Sequence, residues 1–432
     1  MSDRRGAGSL GESQVPGETL DWRHRAFPSN ARGVSSGAVA EERWKALQGD
    51  LLPPLLLLRE SALEHNVELM RGFCARHGVV LAPHGKTTMS PEIVDRQLRA
   101  GAWAITAATV QQARAMRAFG VERVLIANQV VDAPSLRWIA RELAAHREFD
   151  CLCLADSEAA VAAMHDGLRP ARPVRELGVL VELGVQGGRT GARSVQEAMD
   201  VARAVAATPG LRLAGIEAYE GVVDRESMAQ TIAEVDAVLD RVGELAKRLE
   251  REGMLDELPE VIVTAGGSAY FDRVVERLGR LELRRPTRLV LRSGCYVTHD
   301  SGFYQRLSPL DGRSTGGGRL RAALEAWGVV LSLPEPGLAL VGLGKRDVPY
   351  DLGLPTPERV CRRPGGIEPL SGARVTALND QHAFVALDGA ELQVGDWLGC
   401  GISHPCTAFD KWRAIPVVSD DYTVTAVVRT FF

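Results

Sequence analysis

From about residue 55 the chain alternates between short apolar runs and longer amphipathic stretches. The apolar runs recur near residues 80, 104, 125, 152, 180, 214, 262 and 290. Between them, Val110 to Phe119, Ser135 to Ala145, Ser194 to Ala207 and Met228 to Glu252 carry the apolar spacing of helices with one buried face. Runs such as Val124-Leu125-Ile126-Ala127 and Val261-Ile262-Val263 are almost wholly apolar. Strands covered on both faces have this composition. Counted from residue 79 to 297, the alternation makes eight βα units, close to the ~250 residues of a (β/α)8 TIM-type barrel. The alternative, an open doubly wound sheet, expects a Gly-x-Gly-x-x-Gly turn directly after its first strand, and none follows Val79-Val80-Leu81.

Outside this repeat the pattern changes. Leu55-Leu56-Leu57-Leu58 predicts a strand, and Ser61 with Glu64 predicts a helix start with a capping box. Val39 to Leu47 predicts a short helical piece, and residues 1 to about 18 a disordered leader. Past residue 300, Asp311 to Gly318 reads as a flexible loop, and Pro and Gly crowd residues 334 to 366. Short strands are expected at Trp327 to Leu331, Ala373 to Leu378, Ala383 to Leu387, Trp397 to Gly399 and Tyr422 to Val428. The expected organisation is a leader over 1–50, a barrel over 51–310 and a mainly antiparallel β-domain over 311–432.

Composition narrows the function classes. Lys+Arg number 51 against 55 Asp+Glu, for a net charge of -4, so no basic footprint for nucleic acid or anionic lipid stands out. No apolar run approaches the ~20 residues of a membrane span. The N-terminus lacks an apolar signal core. Seven scattered cysteines argue against a disulfide framework and for a reducing, cytoplasmic setting.

Chemistry concentrates in a few segments. Val79-Val80-Leu81 runs into Ala82-Pro83-His84-Gly85-Lys86-Thr87-Thr88, which places Lys86 where barrels keep their active sites. A desolvated amine there forms a Schiff base with an aldehyde cofactor; solvating a loop is the plain alternative. Thr264-Ala265-Gly266-Gly267-Ser268 follows the seventh strand and offers amides, hydroxyls and a helix start to a phosphate. A tight turn would have the same composition. Arg189 sits in a glycine-rich turn within Glu182 to Gly191, Tyr219 ends Gly215-Ile216-Glu217-Ala218-Tyr219, and Arg292 and Tyr296 end the eighth strand. In Ser403-His404-Pro405-Cys406-Thr407, an extended backbone would point His404 and Cys406 the same way. Imidazole and thiolate together suit zinc. A buried cysteine beside a satisfied histidine is the alternative. His382 is a further polar group, with loop solvation as its default role.

Taken in order, the Pro83 to Thr87 segment, the Gly184 to Gly191 turn, Thr264 to Ser268 and the His404-Pro405-Cys406 pair resemble the alanine racemase-like, fold-type III pyridoxal-phosphate enzymes. Within these the chain resembles the D-serine dehydratase and D-threonine aldolase group, from about residue 50 to the C-terminus. The resemblance implies that Lys86 holds pyridoxal 5'-phosphate as a Schiff base and that Gly266, Gly267 and Ser268 bind its phosphate. Arg189 would approach the ring hydroxyl and Arg292 the pyridine nitrogen, with His84, Tyr219, Thr264 and Tyr296 completing the surroundings. Lys86 and Tyr219 would be catalytic, and His404 and Cys406 would bind zinc. It implies a homodimer with shared active sites, in which the Leu55 to Leu58 strand joins the β-domain. The expected reaction is dehydration of a D-3-hydroxyamino acid such as D-serine. D-Threonine aldolase is the alternative, followed by an amino-acid racemase and a non-catalytic cofactor carrier. The chain departs from the family pattern at Gly184 (usually acidic), Gln186 (usually glycine) and Thr88-Met89 (commonly His-Lys).

Overall fold

A computed structural model of the chain describes residues 10, 15, 17–28, 33–171, 173–313, 317–362 and 366–432. Most of the expected leader, and residues 314–316 of the loop expected at 311–318, lie outside the described residues. The chain divides into two compact units. One comprises Met1–Gln14, Arg71–Lys86 and Asp95–Gly294, and the other Val15–Met70, Thr87–Val94 and Cys295–Phe432.

In the first unit the eight apolar runs are eight parallel strands. They are β1 (Val80–Leu81), β2 (Ile105–Ala107), β3 (Arg123–Gln129), β4 (Asp150–Ala155), β5 (Leu177–Leu183), β6 (Leu211–Ala218), β7 (Val261–Thr264) and β8 (Thr287–Leu291). Each pairs with its neighbour in sequence from β2 to β8, and β8 pairs with β1. A parallel bridge between His84 and Thr106, with Trp103 N–H donating to Leu81 O at 2.7 Å and Thr106 N–H to Pro83 O at 2.9 Å, closes the circle. Side chains pointing inward, among them Trp103, Leu125, Leu152, Leu180, Ile262 and Val290, form a buried cluster that fills the interior. The expected barrel is therefore a packed core, with its chemistry confined to the strand ends.

The helices between strands begin where polar caps stop the extended backbone. Asp132, Ser157, Ser194 and Ser227 each accept a backbone N–H from the first helical turn, and Ser194 and Ser227 complete capping boxes with Glu197 and Gln230. The helix expected to start at Ser61 instead spans Glu60–His77. Ser61 donates its hydroxyl to Asp420 at 2.7 Å and is not the cap. β6 and β7 approach so closely at Gly215 (φ +151) that a Cβ there would lie 1.8 Å from Ile262 O.

The second unit holds a ten-stranded, mainly antiparallel sheet. Leu324–Glu335 is its central strand, flanked by Trp397–Gly401 and Leu338–Val341. Leu55–Arg59 pairs antiparallel with Leu324 to Trp327 and parallel with Val417 and Val418, so it belongs to this sheet as expected. Four strands of this sheet were not legible in the sequence, Leu338–Val341, Thr356–Cys361, Ile367–Pro369 and Ala414–Val418, and neither was the separate antiparallel pair Thr19–Leu20 and Val34–Ser35. Thr356–Cys361, Ile367–Pro369 and Ala414–Val418 each carry a proline, and Leu338–Val341 is four apolar residues with no alternation to read. Val39–Glu42 is a single 3-10 turn, shorter than the helical piece expected.

Candidate active site

The carboxyl ends of the barrel strands collect most of the predicted residues. After β1, the 3-10 turn Gly85–Thr87 carries Lys86, whose side chain is exposed. The chain's own packing therefore leaves its amine solvated, where the sequence reading expected a desolvated lysine. His84 lies two residues before it. Burial, then the charges of Lys86 and Arg292, hold its pKa well below the usual histidine range. Its Nδ1 is buried without a hydrogen-bond partner.

Arg189 and Tyr219 come together, the guanidinium carbon 5.2 Å from the ring centroid. The turn that presents Arg189 is braced by Arg193, which donates to Thr190 O at 2.7 Å and Gly188 O at 2.9 Å. The Thr190 hydroxyl donates to the buried carboxylate of Glu182 at 2.7 Å. A Cβ at Gly184 would lie 2.2 Å from Thr190 O and 2.4 Å from Arg193 Nη1. The acidic residue usual in the family has no room in this turn, and Arg193 fills the space.

Arg292 is buried. It donates to the Thr264 hydroxyl at 2.8 Å, to Ala218 O at 3.1 Å and to the Glu217 carboxylate. Burial raises the pKa of Glu217 to about 8 against the opposing pull of Arg292, and its second oxygen is buried and unpaired. Thr264 is also buried, and its hydroxyl donates to Val290 O at 2.9 Å. It holds Arg292 and the β7–β8 edge rather than facing the mouth of the barrel.

The loop after β7 departs most from expectation. Gly266 N–H and Gly267 N–H, the predicted phosphate donors, both donate to Glu220, at 3.0 and 2.9 Å. The pair is an anion-binding seat, and in this chain a carboxylate sits in it. Ser268 is half-buried beside it.

Glu182, Glu217 and Glu220 were not singled out in the sequence. Their signal is a carboxylate at the end of a strand or in the turn just after it, in otherwise apolar surroundings. The site nonetheless fits pyridoxal phosphate. It offers an exposed amine, a fixed guanidinium, a Tyr–Arg pair and two orphaned buried polar atoms, His84 Nδ1 and Glu217 Oε2.

In the second unit, Tyr296 is buried in the 3-10 turn Cys295–Val297. His404 and Cys406 are close together, although not by the extended geometry expected. His404 has φ +62, Pro405 is helical, and Cys406 opens the short helix Cys406–Phe409, so a turn converges the two side chains. Asp300, buried, accepts His404 N–H at 2.9 Å and the amides of Gly302, Tyr304 and Gln305, fixing this turn. His404 Nδ1 lies 2.5 Å from Asp351 Oδ2, whose other oxygen accepts the Thr407 hydroxyl at 2.9 Å.

Burial disfavours the His404 cation, but the Cys406 thiolate and Asp351 outweigh it and raise its pKa to about 9. The Cys406 thiol is held well below its ordinary range, first by Cys295 and also by His404, against the effect of burial. The imidazole–thiolate pair is the donor set a zinc ion prefers. Among the described residues no group of three or more His, Cys, Asp and Glu side chains could hold a metal ion, so a metal here would take two protein donors. His382 lies in neither cluster and is exposed. All seven cysteines are free, and among the described residues no helix is long and apolar enough to cross a membrane.

A serine dehydratase domain matches residues 323–418. A 3-hydroxy-D-aspartate aldolase of Paracoccus denitrificans (strain Pd 1222) is 28% identical over 314 residues, covering 71% of this chain and 76% of that protein. A D-threonine aldolase of an Arthrobacter species is 27% identical over 374 residues, covering 85% and 89%. Among solved structures, D-threonine aldolase from Filomicrobium marinum superposes with a TM-score of 0.71 at 25% identity, covering 89% of this chain and 96% of that one. The N-terminal domain of alanine racemase matches residues 58–286, more than half of the chain, and the protein belongs to that family, the alanine racemase-like, fold-type III pyridoxal-phosphate enzymes.

Proposed function

We propose that the chain is a pyridoxal phosphate- and zinc-dependent dehydratase of a D-3-hydroxyamino acid, with D-serine the simplest substrate. The observation that carries this reading is the convergence of His404 and Cys406, with Asp351 on the far ring nitrogen. Dehydration must expel hydroxide, a poor leaving group. A metal on two protein donors keeps positions open for a substrate hydroxyl.

When bound, pyridoxal phosphate supplies an electron sink for charge at the α-carbon, and zinc supplies Lewis acidity at the leaving oxygen. The chain's residues do the rest. Lys86 would hold the cofactor aldehyde, and its free amine would be the base for the α-proton. Arg292, locked by Glu217, Thr264 and Ala218 O, would offer a permanently protonated donor to the pyridine nitrogen. Tyr219 is a second hydroxyl able to hold or pass a proton at the barrel mouth. Loss of the α-proton and β-hydroxide leaves an enamine, whose hydrolysis gives a 2-oxo acid and ammonia. A homodimer with shared active sites completes the reading.

The second reading is a D-3-hydroxyamino acid aldolase, favoured by the activities named for the two relatives above. A retro-aldol cleavage deprotonates the hydroxyl instead of expelling it, and by resemblance the aldolases pair their metal histidine with a carboxylate instead of a cysteine. The test is product analysis with the cofactor-loaded protein, before chelation, after it, and after zinc is restored. Pyruvate from D-serine that follows the metal supports the dehydratase. Glycine and acetaldehyde from D-threonine, without pyruvate, establish the aldolase instead.

A further inference from the structure

Glu220 is fully buried in the 3-10 turn Glu220–Val222, immediately after Tyr219. Its Oε2 accepts Gly266 N–H at 3.0 Å and its Oε1 accepts Gly267 N–H at 2.9 Å. The Tyr219 ring lies against the two glycines that flank this clamp. A Cβ on Gly267 would be 2.9 Å from Tyr219 Cε2, and a Cβ on Gly221 would be 2.5 Å from Tyr219 Oη. Gly221 follows Glu220 in the same turn, and Gly267 is one of the residues the carboxylate grips. Arg189 covers the ring at 5.2 Å.

We infer that Glu220 is a positioning residue: by tying the loop after β7 to the turn after β6, its carboxylate closes a glycine cage on the Tyr219 ring and sets where the hydroxyl points. The inference rests on the reading that the barrel mouth receives pyridoxal phosphate. Two charge-assisted bonds from adjacent amides to one carboxylate are strong and directional. Glutamine keeps the shape but has one good acceptor and sets its NH2 against the second amide. Aspartate is too short to serve both. The carboxylate acts through the ring, so its effect should vanish when the ring's hydroxyl is gone. A role in the phosphate seat would persist.

The experiment is a double-mutant cycle of E220Q and Y219F, read by pyridoxal phosphate affinity, by the absorption band of the bound cofactor and by the melting temperature of the cofactor-free chain. Pyridoxal, which lacks the phosphate, is the second probe. The expected result is about tenfold weaker binding of both probes and a shifted band in E220Q, with less than about twofold further change when E220Q is added to Y219F. Equal losses in the two backgrounds would overturn the inference. So would a loss confined to the phosphate-bearing probe, or no loss at all. If E220Q does not fold, G221A leaves the Glu220 bonds in place and pushes a methyl onto the ring. It should reproduce the shifted band, and an unshifted band would also overturn the inference. None of these readouts needs a substrate, so absence of D-serine turnover would count against the proposed reaction alone.

Discussion

The sulfur atoms of Cys295 and Cys406, 111 residues apart in sequence, lie 3.5 Å from each other. Cys406 Sγ also donates to the Thr87 hydroxyl at 3.5 Å. Closing to the ~2.05 Å of a disulfide needs only a small movement. Exchange with oxidised glutathione is therefore expected to consume two thiols, form a Cys295–Cys406 disulfide and abolish zinc retention. Zinc bound beforehand should slow the reaction. Thiol titration and metal analysis before and after treatment check this, with C295S as the control that stops at a Cys406–glutathione mixed disulfide and forms no cross-link.

Asp351 holds His404 through Nδ1, which leaves Nε2 for a metal. Carboxylates in this position orient the ring and raise its basicity. D351N should weaken zinc retention about 10- to 100-fold while leaving the fold intact. Competition with a chromophoric chelator measures it. H404N and C406S should each lose the metal outright.

The buried Arg292–Glu217 pair predicts unequal losses. Above about pH 8, where Glu217 is ionised, R292L removes the cation and leaves a carboxylate in an apolar interior, which should cost about 3–5 kcal/mol in denaturant unfolding. E217Q keeps an acceptor for Arg292 and should cost clearly less. Equal losses would mean that Glu217 is uncharged in the folded protein.

His84 should make stability depend on pH in one direction. Its folded pKa is held well below the ordinary value by burial and by neighbouring cations. In the unfolded chain it takes up a proton near pH ~6.5, while in the folded chain it stays neutral. The unfolded state thus binds more protons below that pH, and stability falls as pH is lowered from ~6.5 towards the folded pKa. Above ~6.5 the term vanishes. Urea midpoints at about pH 7.5 and pH 5 should fall less in H84N than in the unsubstituted chain.

What the sequence determined by itself is what depends on neighbours in the chain. The eight apolar runs announced β1 to β8, because a strand covered on both faces must be apolar along its length. Ser194 to Ala207 and Met228 to Glu252 were legible as helices from their apolar spacing, and the caps Ser194 and Ser227 satisfy amides within three residues. The place of Lys86 just after β1 was legible because a strand end in a barrel is a position as well as a composition.

Tertiary structure alone decided the long-range pairings. Leu55–Arg59 joins strands some 270 and 360 residues away. Glu220 reaches Gly266 and Gly267 across 46 and 47 residues, and Asp351 reaches His404 across 53. No local pattern records such partners. A carboxylate chooses whichever unpaired donors the closed fold brings within 3 Å, since a buried anion must be satisfied wherever it lies. That is why the loop after β7 was recognisable as an anion seat from its glycines, while the carboxylate of Glu220 in that seat was not.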